Sequence, residues 1–425
     1  MSLTPIQASP APPATTPRWR RPAVGLLAVW GAGLIVMLAD GDAGCLITAA
    51  QSGAQWGYRL ILPQLVLIPV LYAVQEMTVR LGIFTGLGHG ALIRQQFGKG
   101  WAMVSAAPMV ISAVGTLVVE FVGVAGVGDL FGISEWVTVP VATVFLIALA
   151  VAGGYRRVER IGIAVGLAEL AFVPAMLLAH PHVSQIVHAF GSQPVGNSSY
   201  LTLLAATVGA VIMPWMIFYQ QGAMTDKGLK PTALRQARLD TFAGSILTQV
   251  IMISVIVAMA ATIGRTNPGA PLNSVGEIAT ALRSFIGLDQ ARILIGAAIL
   301  GGALVSALVV SVAGSWGLAE VFNWRHSLNE RPSRATARFY LTYAAAHVVG
   351  AILVLASVNL ISLAVDVEVL NALLLPLVLG FLLALEHRAL PPEHRMHGAR
   401  RLIVTGICLI VMGFGLYMIV PTLGL

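Results

Sequence analysis

Long apolar runs separated by short polar stretches make up most of the chain. A helix needs about 20 mainly apolar residues to cross a bilayer. Eleven runs meet that need, at roughly 24–57, 59–80, 102–128, 136–153, 161–179, 199–222, 238–263, 291–321, 337–356, 360–385 and 402–422. Two of them are interrupted. The first carries Asp40-Gly41-Asp42-Ala43-Gly44-Cys45 near its middle, and the sixth carries Gly209-Ala210-Val211-Ile212-Met213-Pro214-Trp215. They occupy the same place in two successive groups of five helices. Five is odd, so the two groups have opposite orientation. Paired broken helices in matching positions predict an inverted-repeat transporter with a site near the midplane.

The pattern therefore predicts an all-α polytopic membrane protein with 11 transmembrane helices, helices 1 and 6 being broken. The first repeat (helices 1–5) falls at 23–180, the second (helices 6–10) at 199–386, and helix 11 at 400–425. Residues 1–22 are rich in Pro, Thr, Ala and Ser and are expected to form a disordered cytoplasmic tail. The apolar run that follows is too long for a signal peptide and reads as a retained first span.

Composition agrees: 57% of residues are hydrophobic, 10% are charged and mean hydropathy is +0.85. A soluble domain carries about 25% charged residues. The net charge of +7 does not point to nucleic acid, because the basic residues cluster in every second connection. Arg18, Arg20 and Arg21 precede segment 1, Arg156, Arg157 and Arg160 follow segment 4, and Lys227, Lys230, Arg235 and Arg238 follow segment 6. The positive-inside rule then places the N-terminus in the cytoplasm and the C-terminus outside, in a bacterial-type inner membrane. Cys45 and Cys408 lie in distant apolar segments, so no disulfide is expected. There is no phosphate-binding loop, no Ser/His/Asp arrangement and no cofactor fingerprint, so neither an enzyme nor a cofactor is expected. A monomer is expected.

A charge at bilayer depth costs at least ~2.5–3.5 kcal/mol and needs a reason. Between Gly41 and Gly44, which allow a helix to unwind, Asp42 offers a carboxylate beside bare carbonyls. That set suits a hard or borderline cation. Asp42 is thus the first choice for an ion ligand, with Asp40 as a helix cap or vestibule charge. In segment 6, Pro214 cannot donate to a helical carbonyl, which frees carbonyls near Ala210 and Val211. Met213 adds a thioether, a soft ligand suited to Mn, Fe or Cd more than Mg. Trp215 and Gln220 are expected to line the same site. Glu120 is a lone carboxylate in segment 3, read as a proton-path or vestibule group. Asp366 and Glu368 enter segment 10 near its expected outer end, either attracting cations or lying in a solvated loop.

Asp42-Ala43-Gly44-Cys45 followed by Ala50-Gln51-Ser52-Gly53-Ala54-Gln55-Trp56-Gly57-Tyr58 resembles the first helix of the natural resistance-associated macrophage protein (NRAMP) family. Gln75-Glu76-Met77 with Arg80 to Gly86, and Ala210 to Trp215, resemble its helices 2 and 6. The resemblance implies a LeuT-like 5+5 fold and divalent metal transport. It carries the family's binding Asp onto Asp42, its helix 6 carbonyl onto Ala210 and its thioether onto Met213. The family's Asn ligand is Cys45 here, its Pro is Ala43 and its helix 6 His is Trp215. Its helix 3 Asp-x-x-Glu is reduced to Leu117-Val118-Val119-Glu120. These departures look closer to the NRAMP-related magnesium transporter branch. Cys45 occupies a ligand position, although burial favours a neutral thiol there. A smaller set of direct ligands suits Mg, which often keeps several waters.

The function expected is import of Mg2+, and also Mn2+, by alternating access with weak or no proton coupling. Alternatives are a proton-coupled Mn2+/Fe2+ importer using Glu120, a metal-binding membrane receptor, and a Na-coupled solute carrier.

Overall fold

The computed structural model describes residues 32–152, 155–269, 271–283, 287–326, 328, 330, 332–356 and 360–422. The expected tail over 1–22 lies outside the described residues, as does Arg331.

Helices make up the described fold. The first half holds α1 (Ala32–Asp40), α2 (Ala43–Trp56), α3 (Ile61–Thr85), α4 (His89–Phe97), α5 (Lys99–Leu130) and α6 (Glu135–Ala152). It continues with α7 (Tyr155–Gly166), a 3-10 turn at Leu167–Ala171, α8 (Phe172–Leu178) and α9 (Val183–Phe190). The second half holds α10 (Ser198–Val211), α11 (Pro214–Asp226), α12 (Leu234–Ala261), α13 (Ile263–Thr266), α14 (Val275–Ala281), α15 (Leu288–Phe322), α16 (Ala337–Leu355) and α17 (Leu360–Ala389). The last helix is α18 (Gly398–Thr422). Among the described residues ten spans are long and apolar enough to cross a membrane, counting the bent pair Gly33–Asp40 and Ala43–Trp56 as one. The expected fourth span is the shorter apolar helix Glu135–Val151.

The α1–α2 pair bends by 48°. What keeps α1 in place is α12. Asp240 Oδ2 accepts from Gly33 N at 2.7 Å and Leu34 N at 3.4 Å, so a side chain from another helix satisfies amides at the start of α1. Thr248 Oγ1 of α12 donates to the Met37 carbonyl. The other broken helix is held by α17. A Cβ on Gly209 of α10 would sit 1.9 Å from the Glu368 carbonyl oxygen, so the two backbones touch there. α5 packs chiefly on α15, which closes the core behind both breaks.

The two ends of the bundle differ. At one end α2, α5, α10, α17 and the α13–α15 connection enclose a cavity of about 1380 Å³. Asp129, Glu135, Glu277 and Asp366 line it against one cation, Arg292. At the other end the chain is tied shut by buried ion pairs. Glu76 of α3 accepts from Arg80 Nε at 3.0 Å, from Arg238 Nη2 of α12 at 2.6 Å and from Arg400 Nη2 of α18 at 2.5 Å. Arg80 Nη1 also donates to Glu386 Oε1 of α17 at 3.0 Å and to the His394 carbonyl at 2.7 Å. Arg80 is 1% exposed and Glu76 2%, so water cannot replace a lost contact. The planar guanidinium reaches two carboxylates and a carbonyl at once; an ammonium does not. Arg80→Lys should therefore cost about 2 kcal/mol, read as a lower unfolding temperature in detergent with the helical spectrum retained.

Candidate metal-ion site

The first break places one carboxylate at a helix start. Gly41 and Asp42 interrupt the helix, and Asp42 (φ −63, ψ 174) is the N-cap of α2. Its Oδ1 accepts from Cys45 N at 2.7 Å. A negative group is favoured there by the unpaired amides and the helix dipole. Glu120 Oε2 of α5 accepts from the next free amide, Ala43 N, at 3.2 Å. The capping role considered for Asp40 thus belongs to Asp42. Each of the two capping acids keeps a second oxygen, Asp42 Oδ2 and Glu120 Oε1, buried and without a hydrogen-bond partner.

Gly44 lies inside the first turn of α2, past the interruption, and its φ is not positive. What it supplies is room. A Cβ there would meet Glu368 Oε1 at 2.3 Å, Val119 Cγ1 at 2.8 Å and Asp42 Oδ1 at 3.3 Å. Glu368 of α17 therefore aims its free Oε1 at the same turn that Asp42 caps. Its Oε2 accepts from Asn371 Nδ2 at 3.0 Å, and Asn371 Oδ1 accepts from Ser112 Oγ of α5 at 2.7 Å. That chain fixes the carboxylate's orientation. The solvated-loop alternative for Glu368 does not hold, since it is 0% exposed. Its neighbour Asp366 faces the acidic cavity instead. Two residues apart on a helix point to nearly opposite sides, so one acidic pair serves two places.

The second break faces this carboxylate pair. α10 stops at Val211, Ile212 and Met213 are extended, and Pro214 occupies the first position of α11. Pro is at home there because its missing N–H would be unpaired in any case. The Ala210 carbonyl accepts from Cys45 Sγ at 3.2 Å, which joins the two breaks directly. A thiol that donates in this way is neutral, as burial favours. Met213 Sδ lies 3.0 Å from Trp215 Nε1 and 3.6 Å from Thr116 Oγ1 of α5, both donors to it. Trp215 thus positions the thioether and is fully buried. Gln220 turns towards α12, its Nε2 on Thr241 Oγ1 at 3.2 Å.

Among the described residues no three His, Cys, Asp or Glu side chains converge on one metal position. A cation beside Asp42 would draw on carboxylate and carbonyl donors of different helices, completed by water. Such a mixed, incomplete set is suited to an ion that must leave again.

The sequence pattern marks Glu368 as a cation-attracting acid but not its place at the first break, and it does not single out Glu169 at all. Glu169 lies in the 3-10 turn between α7 and α8, is 0% exposed, and approaches Gly41 so closely that a Cβ there would be 1.9 Å from its Oε2. An acid inside the apolar run 161–179 is the same signal that marks Glu120.

Two broken helices meeting at a buried polar centre, within a bundle of ten apolar spans among the described residues, define a LeuT-like fold. A solved structure of the Eremococcus coleocola manganese transporter, in complex with an aromatic bis-isothiourea substituted compound, superposes with a TM-score of 0.75 at 20% identity. The match covers 92% of this chain and 86% of that one. Mhp1, a nucleobase-cation-symport-1 family transporter, shares the fold at a TM-score of 0.59 and 12% identity, over 93% of this chain and 91% of its own. Residues 33–421 match the family described as natural resistance-associated macrophage protein-like, and the chain belongs to that family. A divalent metal cation transporter MntH of Agrobacterium fabrum is 28% identical over 300 residues, 68% of this chain and 65% of the relative. MntH of Staphylococcus saprophyticus is 30% identical over 229 residues, 51% of each. The chain thus aligns with less than two thirds of the length of these two relatives.

Proposed function

We propose that the protein imports divalent metal ions by alternating access, with Mn2+ and Mg2+ as substrates. The observation that carries this reading is the junction of the two breaks. There Asp42 Oδ2 and Glu368 Oε1 are buried and unpartnered at the turn whose Cys45 thiol donates to the Ala210 carbonyl. The name of the MntH relatives supports a divalent metal cation, and that of the Eremococcus manganese transporter supports Mn2+. Oxygen donors in excess of one soft sulfur support Mg2+ as well, with water retained on the ion. Asp42 is the principal ligand, assisted by the Ala210 carbonyl and Met213. Cys45 holds the Ala210 carbonyl while the ion is away.

The acidic cavity is the outer vestibule in this reading, and its surplus of carboxylates concentrates cations before they enter. The Glu76–Arg80–Glu386 cluster then seals the cytoplasmic end. The N-terminus lies in the cytoplasm, and the membrane potential draws the ion inward by ~2.3 kcal/mol per charge per 100 mV. Trp215 in helix 6 and Leu117 in helix 3 stand where the resembling family has a His and an Asp, so two groups associated with proton movement there are replaced by residues that carry no titrating proton. Glu120 Oε1, buried and unpartnered, favours the competing proton-coupled reading.

The test is uptake by purified protein in liposomes with an inside-negative potential. Mn2+ should enter, excess external Mg2+ should slow it, and collapse of the potential should reduce it; a chain that only binds metal gives no flux. Met213→Ala should lower Mn2+ and Cd2+ uptake by several-fold more than Mg2+ uptake, because only the softer ions gain from sulfur. Equal losses for all three would make Met213 a packing residue.

A further inference from the structure

The carboxylates around the first break outnumber what one divalent ion neutralises. Asp40, Asp42, Glu120, Glu169 and Glu368 are all at most 1% exposed. Among the described residues none of the five is ion-paired to Lys, Arg or His. Asp42, Glu120 and Glu368 are used on the side facing α5, α10 and α17. Asp40 and Glu169 remain, and all four of their carboxylate oxygens are buried without a partner.

Their surroundings are specific. Glu169 lies over the backbone of the break, at Gly41. On its far side is Gly302 of α15, where a Cβ would sit 2.7 Å from the Gly41 carbonyl oxygen and 3.3 Å from Glu169 Oε1. Two oxygens of different elements thus border one small gap that any side chain would fill. Asp40 directly precedes Gly41 in the chain and is itself buried, so a third oxygen-bearing group adjoins the same stretch of backbone. The helix carrying Glu169 tightens to 3-10 geometry at Leu167–Ala171, which sets that carboxylate apart from the regular helix on either side.

We propose that Glu169, Asp40 and the Gly41 carbonyl form a second divalent-cation site, built of oxygen alone, between the first break, the Leu167–Ala171 turn and α15. It rests on the reading of the chain as a divalent metal carrier. The two sites differ in chemistry: the one at Asp42 includes a thioether, and this one holds only hard donors. Two divalent ions balance four of the five carboxylates, where one leaves three uncompensated in a dry interior. The second site lies on the α1 side of Asp42. An ion there would be the next stop after Asp42, and repulsion between adjacent ions would help each to leave.

The experiment is the binding stoichiometry of Mn2+ on the purified full chain in detergent, by equilibrium dialysis, with uptake measured on the same preparations. The wild type should bind two Mn2+ per chain. Glu169→Gln, which keeps the shape and removes the charge, should bind one. Gly302→Ala, which fills the gap from the opposite side, should also bind one, so the result does not hang on a single variant folding. Asp42→Asn should bind one while losing uptake. A wild type that transports Mn2+ yet binds a single ion would overturn the second site and leave the transport reading intact. So would Glu169→Gln that still binds two, or a single Mn2+ accompanied by protons that Glu169→Gln releases. A wild type with neither binding nor uptake would overturn the transport reading itself.

Discussion

Asp42→Ala is expected to abolish Mn2+ uptake, and Asp42→Asn to do so without disturbing the helix that Asp42 starts. The two variants separate two jobs of one side chain. Oδ1 caps α2 through Cys45 N at 2.7 Å, and Oδ2 is free. Asn caps a helix about as well as Asp, so the amide keeps the first job. It supplies no charge for the second. A carboxylate–cation contact in a buried site is worth several kcal/mol, so the loss of flux should exceed about 100-fold. Ala removes the cap too and adds about 1 kcal/mol of instability, visible as a lower unfolding temperature than that of Asn. Uptake by Asp42→Asn at more than a tenth of the wild-type rate would mean that the ion is held elsewhere.

Gly209→Ala is expected to be as damaging, for a steric reason. The added Cβ would meet the Glu368 carbonyl at 1.9 Å and Ala372 N at 2.6 Å. Both are backbone atoms of α17 and neither has a rotamer to change. α10 and α17 must separate, at a cost of about 3 kcal/mol or more. The separation also withdraws Glu368 Oε1 from Asp42 and shifts the Ala210 carbonyl one residue along. Lower thermal stability together with lost uptake is the expected result. Full uptake and an unchanged unfolding temperature would show that the two helices do not need this contact. The neighbouring variant Gly196→Ala, in open surroundings, is the control.

The spans, the two breaks and their pairing were legible because each is written in consecutive residues. Apolar length marks a span, and a polar or Pro interruption marks a break. That Asp42, Ala210 and Met213 lie at the interruptions was legible for the same reason. The approach of Glu368 and Glu169 to the first break was not, because neither lies next to a break in the sequence. Only the packing of α17 on α10, and of the Leu167–Ala171 turn on Gly41, brings them to the break. The role of Gly44 was hidden in another way. In sequence it looks like a residue that unwinds a helix, and in the fold it sits in a regular turn leaving room for a carboxylate from another helix. Spacing along one chain reports local conformation; it does not report which distant side chain needs the space. The seal around Arg80 follows the same rule, because its partners Glu386 and Arg400 are joined to it only by tertiary contact.

Flux through the Asp42 junction is the central claim. The most direct measurement records Mn2+ influx and internal pH in the same proteoliposomes, with Mg2+ and Fe2+ run alongside. Mn2+ and Mg2+ should enter under an inside-negative potential while internal pH stays level. Acidification in step with Mn2+ entry would contradict the uncoupled mechanism, and absence of flux for all three metals would contradict transport.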